Sequence, residues 1–256
     1  MPLGDSSTLQ HRPGWRFTPH VIVFFSSACI MVIELVAGRL IARHLGNSLY
    51  VWSSIIGVVL AGMSVGNVIG GKLADRYKPE TILGWLFMTS SVACVLTLKI
   101  NDFFAATTPL RALPWGLQTF LSALIIFALP AVVLGTISPS LAKVALSRGT
   151  KVGTTLGSFY AWAAAGSILG TFLTGFWLIA LLGSKGVVLF TASGLGLVAV
   201  FLGPTRLVYV GWVAIVCLML ASTRNAPVPP SKAVPVIAPV AKVSSGVTVV
   251  GRGSEQ

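Results

Sequence analysis

The sequence predicts an all-α membrane protein, a bundle of about seven transmembrane helices, and three observations carry that expectation. Of its 256 residues, 55% are hydrophobic and 9% charged, and the mean hydropathy is +0.88, too apolar for a soluble domain with one packed core. Apolar runs recur at the length of about 20 residues that a hydrocarbon layer of about 30 Å requires of a helix. The basic residues fall between those runs, where they set orientation.

The runs lie at 18–40, 50–71, 81–99, 117–138, 154–181, 186–203 and 206–222, the last two separated by Gly203, Pro204 and Thr205. Residues 1–17 form a polar N-terminal segment, and no small-residue cleavage site follows the first run, so it reads as a retained helix. From residue 223 to 256 the composition turns to Pro, Ala, Val and Ser, which predicts a disordered tail. With the N-terminus inside, the cytoplasmic segments hold Arg12, Arg16, Lys72, Arg76, Lys78, Lys143, Arg148, Lys151 and Arg206, against Arg39, Arg43, Lys99, Arg111 and Lys185 outside. The bias predicts a multi-pass protein of the inner (plasma) membrane with a cytoplasmic N-terminus.

The net charge of +12 comes from 18 Lys and Arg against six acids. A nucleic-acid binder would place such bases on exposed helices among stacking aromatics, and here they separate apolar runs, so no nucleic-acid partner is expected. Cys29, Cys94 and Cys217 stand singly in separate runs, and His11, His20 and His44 have no neighbour at ligand spacing. Neither a metal site nor a cofactor is expected.

Two features organise the interior. Gly62, Gly66 and Gly70 share one ridge of the second run; Gly166, Gly170 and Thr174 share one in the fifth, as do Gly153, Gly157, Ala161 and Ala165. Small residues at every fourth position let helix backbones approach in lipid. Tyr50-x-Trp52 is answered by Tyr160-x-Trp162 three runs later. That echo fits a 3+3 inverted repeat plus one helix, with a solute site including Tyr160 at the midplane, and it equally fits aromatic anchors at the interface.

Glu34 is the one carboxylate placed well inside a run, in FSSACIMVIELVAGRLIARHLG, Phe25 to Gly46. An unpaired carboxylate in lipid costs several kcal/mol, so it should face the bundle interior. It is either the counter-charge for an amine or proton, or half of an interhelical hydrogen bond. Arg39 and Arg43 are expected to snorkel to the outer headgroups.

GKLADRYKPE, Gly71 to Glu80, reads as a basic cytoplasmic loop in which Asp75 caps or pairs with a neighbouring helix. Its G-x-x-x-D-R core, Gly71 through Arg76, is similar to the loop signature of the major facilitator superfamily, which implies a gating role for Gly71, Asp75 and Arg76. The pattern departs after Arg76, with Tyr77-Lys78-Pro79 in place of a glycine and paired bases.

Taken in order, Glu34 to Arg76, then LPAVVLGTISPSLAK, then Val152 to Gly183 resemble the transmembrane part of membrane-fused spermidine synthase-like proteins. The family's Tyr-Ala-x-Asn-Thr-x-Gly motif here has Ala163 and Ala164 for Asn and Thr. The resemblance implies a membrane unit that binds or passes a small solute of the polyamine kind. The alternative is a non-catalytic scaffold for a separately encoded synthase or another membrane complex. Aminopropyl transfer needs a Rossmann-like domain with a glycine-rich turn, for which no segment of this sequence is suited, so no catalysis is expected. The partners expected are the lipid bilayer, a second copy of the chain as a homodimer, and that synthase or complex.

Overall fold

The computed structural model describes residues 19–107, 110, 112–148, 151–203 and 210–213. Within them the regular structure is helical throughout: α1 Pro19–Leu45, α2 Leu49–Arg76, α3 Pro79–Thr107, α4 Trp115–Gly135, α5 Ile137–Arg148, α6 Val152–Leu173, a π-helical turn Thr174–Leu178, and α7 Ile179–Leu202. Five stretches are long and apolar enough to cross a membrane. The expected terminal segments, 1–17 and 223–256, and all of the seventh run except residues 210–213 lie outside the described residues.

Local chemistry sets the helix ends. α1 runs beyond residue 40, which puts Arg39 and Arg43 on the helix, and stops where Gly46 turns left-handed (φ 77°) and donates its N–H to the Ala42 carbonyl at 3.1 Å. Gly46→Ala is expected to cost about 1 kcal/mol of stability through that positive φ, readable as a lowered unfolding midpoint in detergent. Ser48 then caps α2, its hydroxyl accepting from the Val51 N–H.

The fourth run, expected over 117–138, ends at a break, and a further helix, α5, follows where a connecting segment was expected. Pro139 has no N–H for the Gly135 carbonyl and its ring crowds that carbonyl, so α4 ends at Gly135 and Thr136 makes the joint, its hydroxyl donating to the Val133 carbonyl at 2.6 Å. The last 51-residue apolar stretch bends where Gly183 adopts φ 66°, ψ 168°. That break falls in the gap expected between the fifth and sixth runs.

Three helix pairs carry most of the packing: α2 with α4, α1 with α6, and α3 with α7. The glycines expected to bring backbones together do so in the first two. A Cβ on Gly62 would lie 2.7 Å from that of Ala131, one on Gly66 would meet the Val132 carbonyl, and one on Gly70 would lie 2.7 Å from Thr136 Cα. Across the bundle, Gly166 lies against the backbone of Phe24 and Gly170 against Ala28, where a Cβ would be 2.6 Å from the carbonyl oxygen. In both pairs residue numbers rise together along the two helices, so the partners run parallel. Gly153 and Gly157 behave differently, since a Cβ on either meets nothing within 4 Å. That second ridge of α6 points out of the bundle, because the Gly166–Gly170 ridge already holds α6 on α1.

α3 and α7 run antiparallel. The Ser91 hydroxyl donates to the Ala192 carbonyl at 2.6 Å, and Lys185 pairs with Asp102 at 2.8 Å nearer one end. Phe87, Phe127 and Phe159 are the largest fully buried side chains of the core.

Candidate functional site

Glu34 stands on the face of α1 that meets α2 and α4. It lines a small cavity with Ile30 and Ala37 of its own helix, Met63 of α2, and Phe127, Pro130 and Leu134 of α4. Apart from Glu34 the wall is apolar side chain, and Pro130 withdraws one backbone N–H donor from α4 at that wall. Among the described residues no hydrogen bond or ion pair reaches Glu34. The space open to the centre of a water is about 10 Å³, at the lower edge of what one water occupies. The cavity has room for about one water beside the carboxylate and for nothing as large as a polyamine.

Tyr160 lies elsewhere. It is 62% exposed on α6, edge-on to Phe159 with ring centroids 5.7 Å apart, and is not part of the cavity wall. The Tyr-x-Trp motifs divide into different contacts. Tyr50 meets Trp115 edge-on at 5.6 Å, whereas Trp52 lays its ring over Gly38 and donates its indole N–H to Asn47 Oδ1 at 2.8 Å. Trp162 packs edge-on against Phe24 and His20.

The segment from Gly71 to Arg76 is the last stretch of α2, not a loop. The helix carries through Gly70 and Gly71 and closes when the Tyr77 N–H reaches the Leu73 carbonyl at 2.9 Å, and Pro79 opens α3. Asp75 pairs with Lys143 of α5 at 2.9 Å, and the same ammonium donates to the Ala74 carbonyl at 2.7 Å. That carbonyl is one of the last four of α2, which have no helical donor. Lys143, expected only as a topology-setting base, therefore caps α2 from another helix. Gly71 is open, with nothing within 4 Å of an added Cβ, and the Arg76 guanidinium lies 5.8 Å from the Tyr77 ring centre.

Because Asp75 is 82% and Lys143 43% exposed in their side chains, the ion pair itself contributes little. Asp75→Asn is expected to change stability by less than about 1 kcal/mol. Lys143→Met should cost more, about 1–2 kcal/mol, because it also strips the Ala74 carbonyl of its donor. Thermal unfolding of the two variants in one detergent separates the contributions.

With this geometry in view, the chain can be set beside known proteins. Over 116 residues it is 31% identical to polyamine aminopropyltransferase 2 of Ralstonia nicotianae, covering 43% of this chain and 22% of that protein. Polyamine aminopropyltransferase 1 of the same organism matches at 31% over 116 residues, covering 43% and 21%. The likeness is to polyamine aminopropyltransferases. It agrees with the resemblance to the membrane part of spermidine synthase-like proteins, and the chain spans about a fifth of the length of the curated relatives it matches. No family model and no solved structure matches the chain.

Proposed function

We propose that this chain is a membrane-embedded helical unit that binds or passes a small cationic solute of the polyamine class, with Glu34 as its counter-charge. The single observation that carries the reading is a half-buried carboxylate with no partner among the described residues, lining a small cavity where three helices meet. A carboxylate so placed is stabilised by a cation or a proton and by little else. The relatives named for polyamine aminopropyl transfer supply the solute class. Aminopropyl transfer itself is not assigned to these 256 residues, whose described part is helical.

A 3+3 inverted repeat underlies the proposal, and its support is the packing register. Gly62 and Gly166 are 104 positions apart, as are Gly66 and Gly170. Their backbone partners keep the same offset, Ala128 with Phe24 and Val132 with Ala28. The offset exchanges the α2–α4 pair with the α6–α1 pair and maps the α3–α7 pair onto itself. Ile30 and Leu134 are also 104 apart, and both line the Glu34 cavity, so that cavity lies where an axis relating the halves would pass. Sites at such axes are where inverted-repeat transporters hold their solutes. The Tyr-x-Trp echo, 110 positions apart, is out of this register and marks interfacial anchoring instead. The inner end of α2, with Gly71, Asp75 and Arg76, is the proposed gate. Tyr160 has a role in this reading only if a second copy, as in a homodimer, covers its exposed face.

Equilibrium binding of spermidine to the purified protein tests the reading. Binding that weakens in Glu34→Gln supports it, and equal binding by both proteins removes Glu34 from the site. One observation favours the second reading, a non-catalytic subunit holding a separate synthase: a cavity of about 10 Å³ is too small for a polyamine as it stands. Under that reading a soluble synthase co-purifies with the protein from its host, and spermidine does not bind.

A further inference from the structure

The C-terminal end of α2 carries bases that its own structure does not use. Lys72 and Arg76 are exposed and stand one turn apart on the helix, and Lys78, two residues beyond Arg76, is exposed as well. None of the three makes a hydrogen bond or an ion pair among the described residues. The roles a base takes at a helix C-terminus are already filled. The Leu73 carbonyl accepts from the Tyr77 N–H and the Ala74 carbonyl from the Lys143 ammonium. Asp75, the one carboxylate of α2, is paired with the same Lys143. Lys78 serves α3 through its backbone alone, its carbonyl accepting from the N–H groups of Thr81 and Ile82 at 3.0 and 3.4 Å.

The surface around these bases suits an anion. Gly71, one residue before Lys72, leaves open space, since an added Cβ there meets nothing within 4 Å. The Arg76 guanidinium lies 5.8 Å from the centre of the Tyr77 ring, which is 53% exposed. That contact restrains the guanidinium and leaves its N–H fork for an acceptor. Long basic side chains at the end of a membrane-crossing helix reach headgroup level, where the anions are lipid phosphates that a guanidinium binds through two parallel hydrogen bonds. Orientation asks only how many bases lie on one side of the membrane. It does not ask that they be grouped, unpaired and set beside an open glycine.

We propose that Lys72, Arg76 and Lys78 hold the phosphate of an anionic phospholipid, docked on the end of α2 beside Gly71. A phosphate so held ties the end of α2 to the start of α3, the segment assigned as the gate. The inference rests on α2 crossing a bilayer, and on neither Glu34 nor the solute.

Native mass spectrometry of the full chain, equilibrated in detergent with equal amounts of phosphatidylglycerol and phosphatidylcholine, reads the site. The parent should retain phosphatidylglycerol in preference. One base at an anionic headgroup is worth roughly fivefold in binding. Lys72→Gln and Arg76→Gln should therefore each lower retained phosphatidylglycerol roughly fivefold, and Gln at all three positions should bring it down to the level of phosphatidylcholine. Arg76→Lys, which keeps the charge, should retain more than Arg76→Gln. Lys151→Gln is the control. It removes the same charge at an exposed position ahead of α6, on the same side because α2 and α4 run parallel, and should match the parent. Equal retention of the two lipids by the parent, unchanged phosphatidylglycerol in the variants at Lys72 and Arg76, or an equal loss in Lys151→Gln overturns the site. The single substitutions fall on exposed side chains and should unfold at the parent's midpoint, so they decide the point even where the triple variant is poorly folded. No spermidine is present, so this result and the Glu34 binding result stand or fall separately.

Discussion

Gly66→Leu is expected to leave little or no folded protein in detergent. A Cβ at this position would run into the Val132 carbonyl and come within 3.0 Å of Gly135 Cα, so the obstacle is backbone, which cannot swing aside as a side chain can. The two helices would have to separate along the pair that carries the most packing, at a cost of about 3 kcal/mol or more. Gly170→Leu, against the Ala28 backbone, should fail in the same way. Gly157→Leu is the control, with nothing within 4 Å of its Cβ, and should fold as the parent does. Size-exclusion profiles of the three proteins decide the point: a monodisperse Gly66→Leu, or a collapsed Gly157→Leu, would mean that the α2–α4 and α6 contacts are wrongly placed.

Glu34→Gln should weaken solute binding roughly 10- to 100-fold and leave the fold intact. The glutamine keeps the size of the carboxylate and removes its charge, and no described residue depends on that charge for a hydrogen bond or an ion pair. The loss of one charge-assisted contact corresponds to about 1.5–3 kcal/mol, or roughly 10- to 100-fold in affinity for a cation. If Glu34 were instead a structural partner, the substitution would lower the unfolding midpoint, and thermal unfolding beside the binding measurement separates the two roles.

The architecture is largely legible in the sequence because helices long and apolar enough to cross a membrane declare themselves by length and polarity alone. Helix runs, the Gly62–Gly66–Gly70 and Gly166–Gly170 ridges, and the break near Gly183 all come from local composition. Which ridge of α6 turns inward is not legible, because Gly153–Gly157 and Gly166–Gly170 look alike until α1 takes one of them. The same holds for Lys143. Its pairing with Asp75, 68 positions away, depends on the parallel course of α2 and the fourth run, which no short motif encodes. The aromatic echo points to an offset that the glycines do not share, because Tyr and Trp collect at interfaces whatever the repeat. For the site, Glu34 stands out by its rarity, whereas Tyr160 is tied to it only through that echo, and the two are not together in the fold.

The most direct test of the central claim is uptake of labelled spermidine into liposomes containing the purified protein, compared with Glu34→Gln at equal incorporation. Saturable uptake by the parent and none above empty liposomes in Glu34→Gln is the predicted result. Parent and variant that both match empty liposomes, or that take up spermidine equally, would contradict it.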